Sequence, residues 1–511
     1  MQQSRMKNAT KNVFSGVLNR IITSILPFFV RTAMIYTLGG EFLGLNVLFT
    51  SILQVLNVAE MGLSEVIVFS LYKPIENNDS ERICNLMAFY KKAYTIIGFV
   101  IFSVGCILMP FLPFLIMGDI PQNINLYVLF LIFLLNTSLS YWMFSYKSVL
   151  LVAHQRYNVV TNVTTIMTIL QNAFQLMILF LMRNYYGYVI LFPLFTVLRN
   201  IYIAKVVDRN YPQYLLRGKL EKESITDIRK SISAIIIGRI GDISRNSLNS
   251  IIISSYLGLI AVAIYGNYFY IYAMLYGLMG TITISLQAGV GNSIASESVD
   301  KNYDDFRFLT FLFAWISMVI TALLLVLYQP FMIIWVGDEL LLSNMDMVLF
   351  CIYFYACAMT CARNLYMNGT ALWWRAKKWF IIEAVFNLLL NLIFGRIWGI
   401  TGILLATIFT VTAINFVGRS IVVFDYYFTD MKISDFLKQN LLYAISAAFV
   451  CGITYHICIY IAVSNIYIHL IVLVLACITI SNLIYLALYK KTSYFRRALQ
   501  LLNRIRPMFR Y

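Results

Sequence analysis

Arg20-Ile-Ile-Thr-Ser24-Ile-Leu-Pro27-Phe-Phe-Val-Arg31-Thr-Ala-Met-Ile-Tyr-Thr-Leu38-Gly39 is a membrane-length apolar run that carries two arginines. It returns in outline further on. Arg20-Ile21 and Leu38-Gly39 are matched by Arg239-Ile240 and Leu257-Gly258, each shifted by 219 residues. Working outward, about fourteen such runs follow one another, centred near Thr23, Leu56, Phe99, Asn136, Thr168, Val197, Asn249, Ala273, Ser317, Tyr355, Asn387, Thr412, Phe449 and Ile478. The 511 residues are 60% apolar and only 12% charged. Soluble chains average about 45–50% and 25%. The reading is an all-α polytopic membrane protein of about 14 transmembrane helices, with almost no sequence left for a soluble domain.

The charge surplus fits that reading. Lys and Arg number 39 against 23 Asp and Glu, a net charge of +16. With the N-terminus inside, the outer loops hold only Arg183 and Arg396, while the inner segments and the tail hold most of the rest. Lys and Arg collect in cytoplasmic loops, so both termini are expected in the cytoplasm (N-in and C-in). The surplus reports orientation, and no nucleic-acid partner is expected. The polar start Met1–Lys11 and the long run after it read as a retained first span rather than a cleaved leader. The basic amphipathic tail after Lys491 is expected to lie on membrane lipid.

The 219-residue shift superposes two six-span blocks that both start from the cytoplasm, which makes a parallel repeat. The chain then divides into an N-terminal lobe (1–206, helices 1–6), a cytoplasmic linker (207–233), a C-terminal lobe (234–424, helices 7–12), and two extra helices with a basic tail (425–511).

Enzyme chemistry has no foothold. There is no P-loop for an ATP-driven pump and no clustered carboxylates. The three histidines, His154, His456 and His469, are scattered, so no catalytic residues, metal or cofactor are expected. The eight cysteines mostly fall in apolar runs and read as buried free thiols.

Charges inside the spans carry the information, because such groups face a bundle interior or a wet cavity. Arg20 and Arg31 lie three helical turns apart on one face, roughly 16 Å along the axis. Span seven, Arg239-Ile-Gly-Asp242-Ile-Ser-Arg245-Asn-Ser-Leu-Asn249, is polar at 3–4 spacing. Arg363 adds a charge in span ten. Guanidinium groups grip phosphate oxygens bidentately, so Arg20, Arg31, Arg239, Arg245 and Arg363 are candidates for binding a diphosphate and its sugars. The acids Glu60, Glu65, Asp242 and Glu383 are either coupling sites or structural partners of these arginines. Glu383, Asn387 and Asn391 form one polar stripe, and Asn158, Asn162, Thr165, Asn172 and Gln175 another. Tyr265, Tyr268, Tyr272 and Tyr276 read as packing, with a sugar-binding wall as the alternative. Arg199 and Arg419, near the inner span ends, are expected to snorkel to the interface.

The stretch Arg31-Thr-x-x-Ile35-Tyr-x-Leu38-Gly39-x-Glu41-x-Leu43-Gly44-Leu45-Asn46-x-Leu-Phe49, with Ala59-Glu60-x-Gly62 and Leu71-Tyr72-Lys73-Pro74, resembles the bacterial repeat-unit flippases for capsule and O-antigen polysaccharide. Those belong to the multidrug/oligosaccharidyl-lipid/polysaccharide exporter superfamily. Gly289-Val-Gly291-Asn292-Ser293 resembles the matching point of the second half. The resemblance implies two six-helix lobes around a central cavity, with two further helices, in the bacterial cytoplasmic membrane. It implies a lipid-linked oligosaccharide carried on undecaprenyl diphosphate, flipped from the inner to the outer leaflet by alternating access. Polymerase and glycosyltransferases of the same pathway would be partners. The rivals are a drug/cation antiporter of the same superfamily, which would want acids in its cavity, a lipid II flippase, and a polymerase or glycosyltransferase, which would want a long outer loop.

Overall fold

The computed structural model describes Asn19 and residues 22–60, 62–118, 120–121 and 124–505. Within them it is helical throughout, with no strand. The helices are α1 (Ile22–Thr37), α2 (Gly40–Leu56), α3 (Leu63–Glu76), α4 (Ser80–Leu108), α5 (Leu126–Trp142), α6 (Ser148–Ala153), α7 (Tyr157–Leu181), α8 (Tyr185–Asn210), α9 (Lys222–Ile243), α10 (Asn249–Ser296), α11 (Val299–Val336), α12 (Asn344–Ala358), α13 (Cys361–Gly369), α14 (Lys377–Phe409), α15 (Arg419–Tyr426), α16 (Ile433–Cys458), α17 (Ile466–Tyr489) and α18 (Ser493–Ile505).

Among the described residues, nine helical stretches are long and apolar enough to cross a membrane. Two of them, Ser244–Ser296 and Lys377–Tyr426, run 53 and 50 residues and are broken at Gly258 and Gly399, so each holds two segments. The bent pair Leu126–Trp142 and Ser145–Ala153 adds one segment, and the shorter α1 and α2 add two, which brings the described segments to fourteen. The protein is a polytopic all-α membrane protein.

Local chemistry sets the ends. Asp79 caps α4 by accepting from the Arg82 amide at 2.9 Å, and Asn184 caps α8 by accepting from the Gly187 amide at 2.9 Å. The matched breaks at Gly39 and Gly258 need glycine. Gly39 has φ 110 and ψ 166, and Gly258 has φ 83 and ψ −178, a conformation closed to residues with a Cβ. These two are the repeat-related glycines, and they adopt nearly the same backbone geometry. Gly118 and Gly337 are a second pair at the same 219-residue shift, with φ 85 and 80.

The repeat extends to the helix starts. Ser80 and Val299, which begin α4 and α11, are 219 residues apart; Leu126 and Asn344, which begin α5 and α12, are 218 apart; Tyr157 and Lys377, which begin α7 and α14, are 220 apart.

Packing divides the chain into two compact units, Met1–Ala263 and Ile264–Tyr511. This partition differs from the six-span halves read off the repeat, because α9 packs on α3 within the first unit. In that unit α5 lies between α4 and α8, and α8 also packs on α7. Gly44 on α2 permits close approach to the segment after Gly258: a Cβ there would lie 2.1 Å from the Leu259 carbonyl oxygen. In the second unit α11 is the hub, flanked by α12, α16 and α17.

Candidate functional site

In the first unit Arg31 of α1 and Glu60, in the 3-10 turn after α2, each sit near a tyrosine, and an ion pair joins α3 to α9. Arg31 is half-buried, and its charge lies within electrostatic reach of the Tyr188 hydroxyl. Asn46 donates to that hydroxyl at 3.3 Å. Arg239 on α9 pairs with Glu65 on α3 at 2.5 Å, and both side chains are about half exposed, at 48% and 58%. Among the described side chains, Glu65 is the acid that pairs with Arg239. Glu60 accepts from the Tyr94 hydroxyl at 2.6 Å, and Tyr141 donates to the neighbouring Asn57 at 3.1 Å. Arg245 is buried, at 7% exposure, in a π-helical turn that spans Ser244–Leu248. Ser247 in the same turn donates to Gln54 on α2 at 2.9 Å. Arg20 and the Asp242 side chain lie outside the described residues.

The second unit arranges its charges differently. Glu383, Asn387 and Asn391 form the stripe the spacing predicts, and all three are fully buried. They face a π-helical segment, Thr410–Gly418. Asn387 donates to Thr410 at 3.1 Å, and Asn415 donates to Glu383 at 2.9 Å. Arg419 donates to the other oxygen of Glu383, and its guanidinium stacks over the Phe380 ring at 3.7 Å. The expectation that Arg419 snorkels to the interface is therefore corrected. Glu383 lies one hairpin away at a matching depth, and an interior ion pair takes the charge instead.

Arg363 is 1% exposed. It donates to the Asn415 and Phe416 carbonyls and to the side chains of Asn364, at 2.7 Å, and Asn415, at 2.9 Å. A π-turn shifts carbonyls off the i−4 ladder, and Arg363 takes up those so freed. Its donors serve the interior of this unit. The tyrosine stripe is packing. Tyr265, Tyr268 and Tyr272 are 0–3% exposed, and Tyr272 stacks on Tyr353 at 4.5 Å.

The two π-helical segments and the Asn415 hub have no signature in the sequence, because a π-turn carries no distinct residue pattern. The Gln54–Ser247 bond joins residues far apart in the chain, and neither stands out by spacing. No cluster of three or more metal-capable side chains occurs among the described residues.

The fold has solved counterparts. The lipid II flippase MurJ, in an inward closed conformation, matches with a TM-score of 0.66 at 15% identity, over 94% of this chain and 98% of that one. An inward-facing multidrug resistance MATE family transporter of the MOP superfamily matches at 0.56 and 14% identity, over 78% and 93%. The eukaryotic MATE transporter AtDTX14 matches at 0.56 and 12% identity, over 82% and 96%. At these identities the likeness is one of fold. No protein-family model and no curated protein matches the chain in sequence.

Proposed function

We propose that this protein is a flippase that moves an undecaprenyl-diphosphate-linked oligosaccharide repeat unit from the inner to the outer leaflet of the bacterial cytoplasmic membrane. Its product feeds cell-surface polysaccharide such as capsule or O-antigen. The observation that carries the reading is the set of intramembrane arginines in the first unit. Arg239 has only a half-exposed partner, which a stronger anion could displace, and Arg31 has tyrosine and amide neighbours that suit a polar headgroup. Arg20 and Arg239 are repeat-related in sequence, so each could take one phosphate of a diphosphate. Arg245 is buried within the π-turn of the first unit, and Arg363, also buried, holds the carbonyls of the π-turn of the second. The recurrence of helix starts at the 219-residue shift supports two equivalent halves working by alternating access.

The direction has a driving force. Two negative charges leaving a cell held at about −100 mV gain roughly 4–5 kcal/mol, so no nucleotide site is required. On the positive-inside count both termini face the cytoplasm, and Gly39 and Gly258 lie outside. Polymerase and glycosyltransferases of the same pathway would act before and after the flip.

Lipid II flipping is the second reading, favoured by the full-length fold match to a lipid II flippase. Proteoliposomes separate the two. Vesicles loaded with a polyprenyl-diphosphate oligosaccharide, with lipid II, or with a fluorescent organic cation are assayed for protein-dependent crossing. Oligosaccharide crossing without cation crossing supports the proposal. Crossing of lipid II alone would replace it with the second reading, and cation crossing alone would make the protein an antiporter.

A further inference from the structure

A groove of about 910 Å³ opens in the second unit where α11, α16, α17 and α18 meet. Arg307 and Lys438 stand at its polar end with Asp435 beside them, and Leu442, Ile445, Phe449 and Leu488 line the rest. The polar end is organised. Arg307 donates from Nε to Gln439 at 3.0 Å, and Gln439 donates to the Tyr443 hydroxyl at 2.6 Å. The Arg307 guanidinium also lies 5.6 Å from the Tyr494 ring.

The helix α18 closes this end of the groove. Its faces are sharply divided, with Phe495 and Ala498 buried. Arg497 fixes it to α11 by donating to Asp304 at 2.9 Å and to Asp305, and it sits 4.4 Å from the Phe308 ring. Arg496 on its outer face, and Lys490 and Lys491 in the turn before it, are exposed just beyond the groove.

The apolar part is not covered by any of the described residues. Leu442, Ile445 and Phe449 follow each other at helical spacing on α16 and are 63%, 57% and 55% exposed, with Leu488 of α17 47% exposed alongside. From Leu442 to Phe449 is about 10 Å of helix. On a membrane span an exposed apolar strip meets acyl chains. Here the strip begins at two cations, at the end of the bundle where α11 and α16 start and α17 stops, so what fills the groove needs an anionic head and a hydrocarbon tail.

We propose that this groove binds one anionic glycerophospholipid of the adjoining leaflet, its phosphate held by Arg307 and Lys438 and an acyl chain laid along Leu442, Ile445 and Phe449. Arg307 and Lys438 outnumber Asp435, and the exposed basic residues nearby strengthen the field, so an anionic head is preferred to a zwitterionic one. On the topology proposed above this is the cytoplasmic leaflet. The site lies wholly within the second unit and does not depend on the transport reading.

The test is native mass spectrometry of the purified full-length protein in detergent, titrated separately with phosphatidylglycerol, phosphatidylcholine and a polyprenyl monophosphate. The protein is expected to retain one phosphatidylglycerol at least tenfold more tightly than phosphatidylcholine. Each basic contact near a membrane surface is worth about a fivefold change, so Lys438→Gln weakens phosphatidylglycerol about fivefold and Arg307→Gln with Lys438→Gln roughly 30-fold. Leu442→Trp fills the groove with every charge intact and also loses the lipid, whereas Arg496→Gln, outside the groove, does not. Lys438 is exposed, so its variant reports binding with the fold undisturbed. Unchanged phosphatidylglycerol retention in Lys438→Gln and Leu442→Trp would overturn the site. So would a polyprenyl phosphate that displaces the phospholipid at equal affinity, since the groove would then belong to an isoprenoid.

Discussion

Two arginine–glutamate pairs, one in each unit, use the same chemistry to opposite ends. Arg419 and Glu383 are 6% and 0% exposed, and an aromatic face and an Asn side chain complete the contact. Arg239 and Glu65 are 48% and 58% exposed. Two charges removed from solvent are held by each other and cannot exchange partners, because opening the pair strands both in a medium of low dielectric. A half-exposed pair is worth little, about 0–1 kcal/mol when water reaches it, so a ligand phosphate can replace the carboxylate. On the function proposed above, exposure rather than the presence of an arginine would separate a brace from a binding group.

The largest effect is expected at the buried pair. Arg419→Leu leaves Glu383 without its counter-charge, at a cost of about 3–5 kcal/mol. Membrane abundance and the thermal midpoint in detergent should both fall sharply. The double change Arg419→Leu with Glu383→Leu should recover most of the loss, and if the double change is no better than the single, the pairing account of this site fails.

Asn415 sharpens the same point at smaller scale. It donates to Glu383 and accepts from Arg363, so Asn415→Leu leaves two buried charged groups short of a bond, at about 1–3 kcal/mol. A thermal midpoint equal to that of the unchanged protein would show that the hub is not shared.

Thiol labelling contrasts the two sites directly. In a cysteine-free background, an impermeant reagent should modify cysteines placed at Arg239 or Glu65 within minutes and leave one at Glu383 unmodified. Equal protection at all three would break the comparison. The smallest effect is expected for Glu65→Gln, which removes only the exposed partner. Its thermal midpoint should move by less than the equivalent of about 1 kcal/mol.

Much of this was legible from residue order alone. Run length located the spans, since a lipid core demands about 20 apolar residues whatever the tertiary structure. The 219-residue shift, found through Arg20-Ile21 and Leu38-Gly39, anticipated the matched glycine geometry at Gly39 and Gly258 and the matched helix starts. The stripe of Glu383, Asn387 and Asn391 followed from helical periodicity. What it faces did not, because the partner Arg419 lies 36 residues away on a returning helix, and spacing along one helix is blind to its neighbour. For that reason Arg419 looked like an interfacial cation, and Arg363 looked equivalent to Arg239. Arg245 sits inside one π-turn, and Arg363, on α13, meets the carbonyls of the other.

The central claim is that Arg239 belongs to the path of a diphosphate-bearing lipid. The direct measurement is crossing of a polyprenyl-diphosphate oligosaccharide in proteoliposomes containing equal amounts of folded protein. Arg239→Lys should retain part of the rate, since charge survives while the bidentate fork is lost. Arg239→Ala should retain less, and Arg239→Glu should show none above protein-free vesicles, with a thermal midpoint within a few degrees of the unchanged protein. Full-rate crossing by Arg239→Glu would contradict the account.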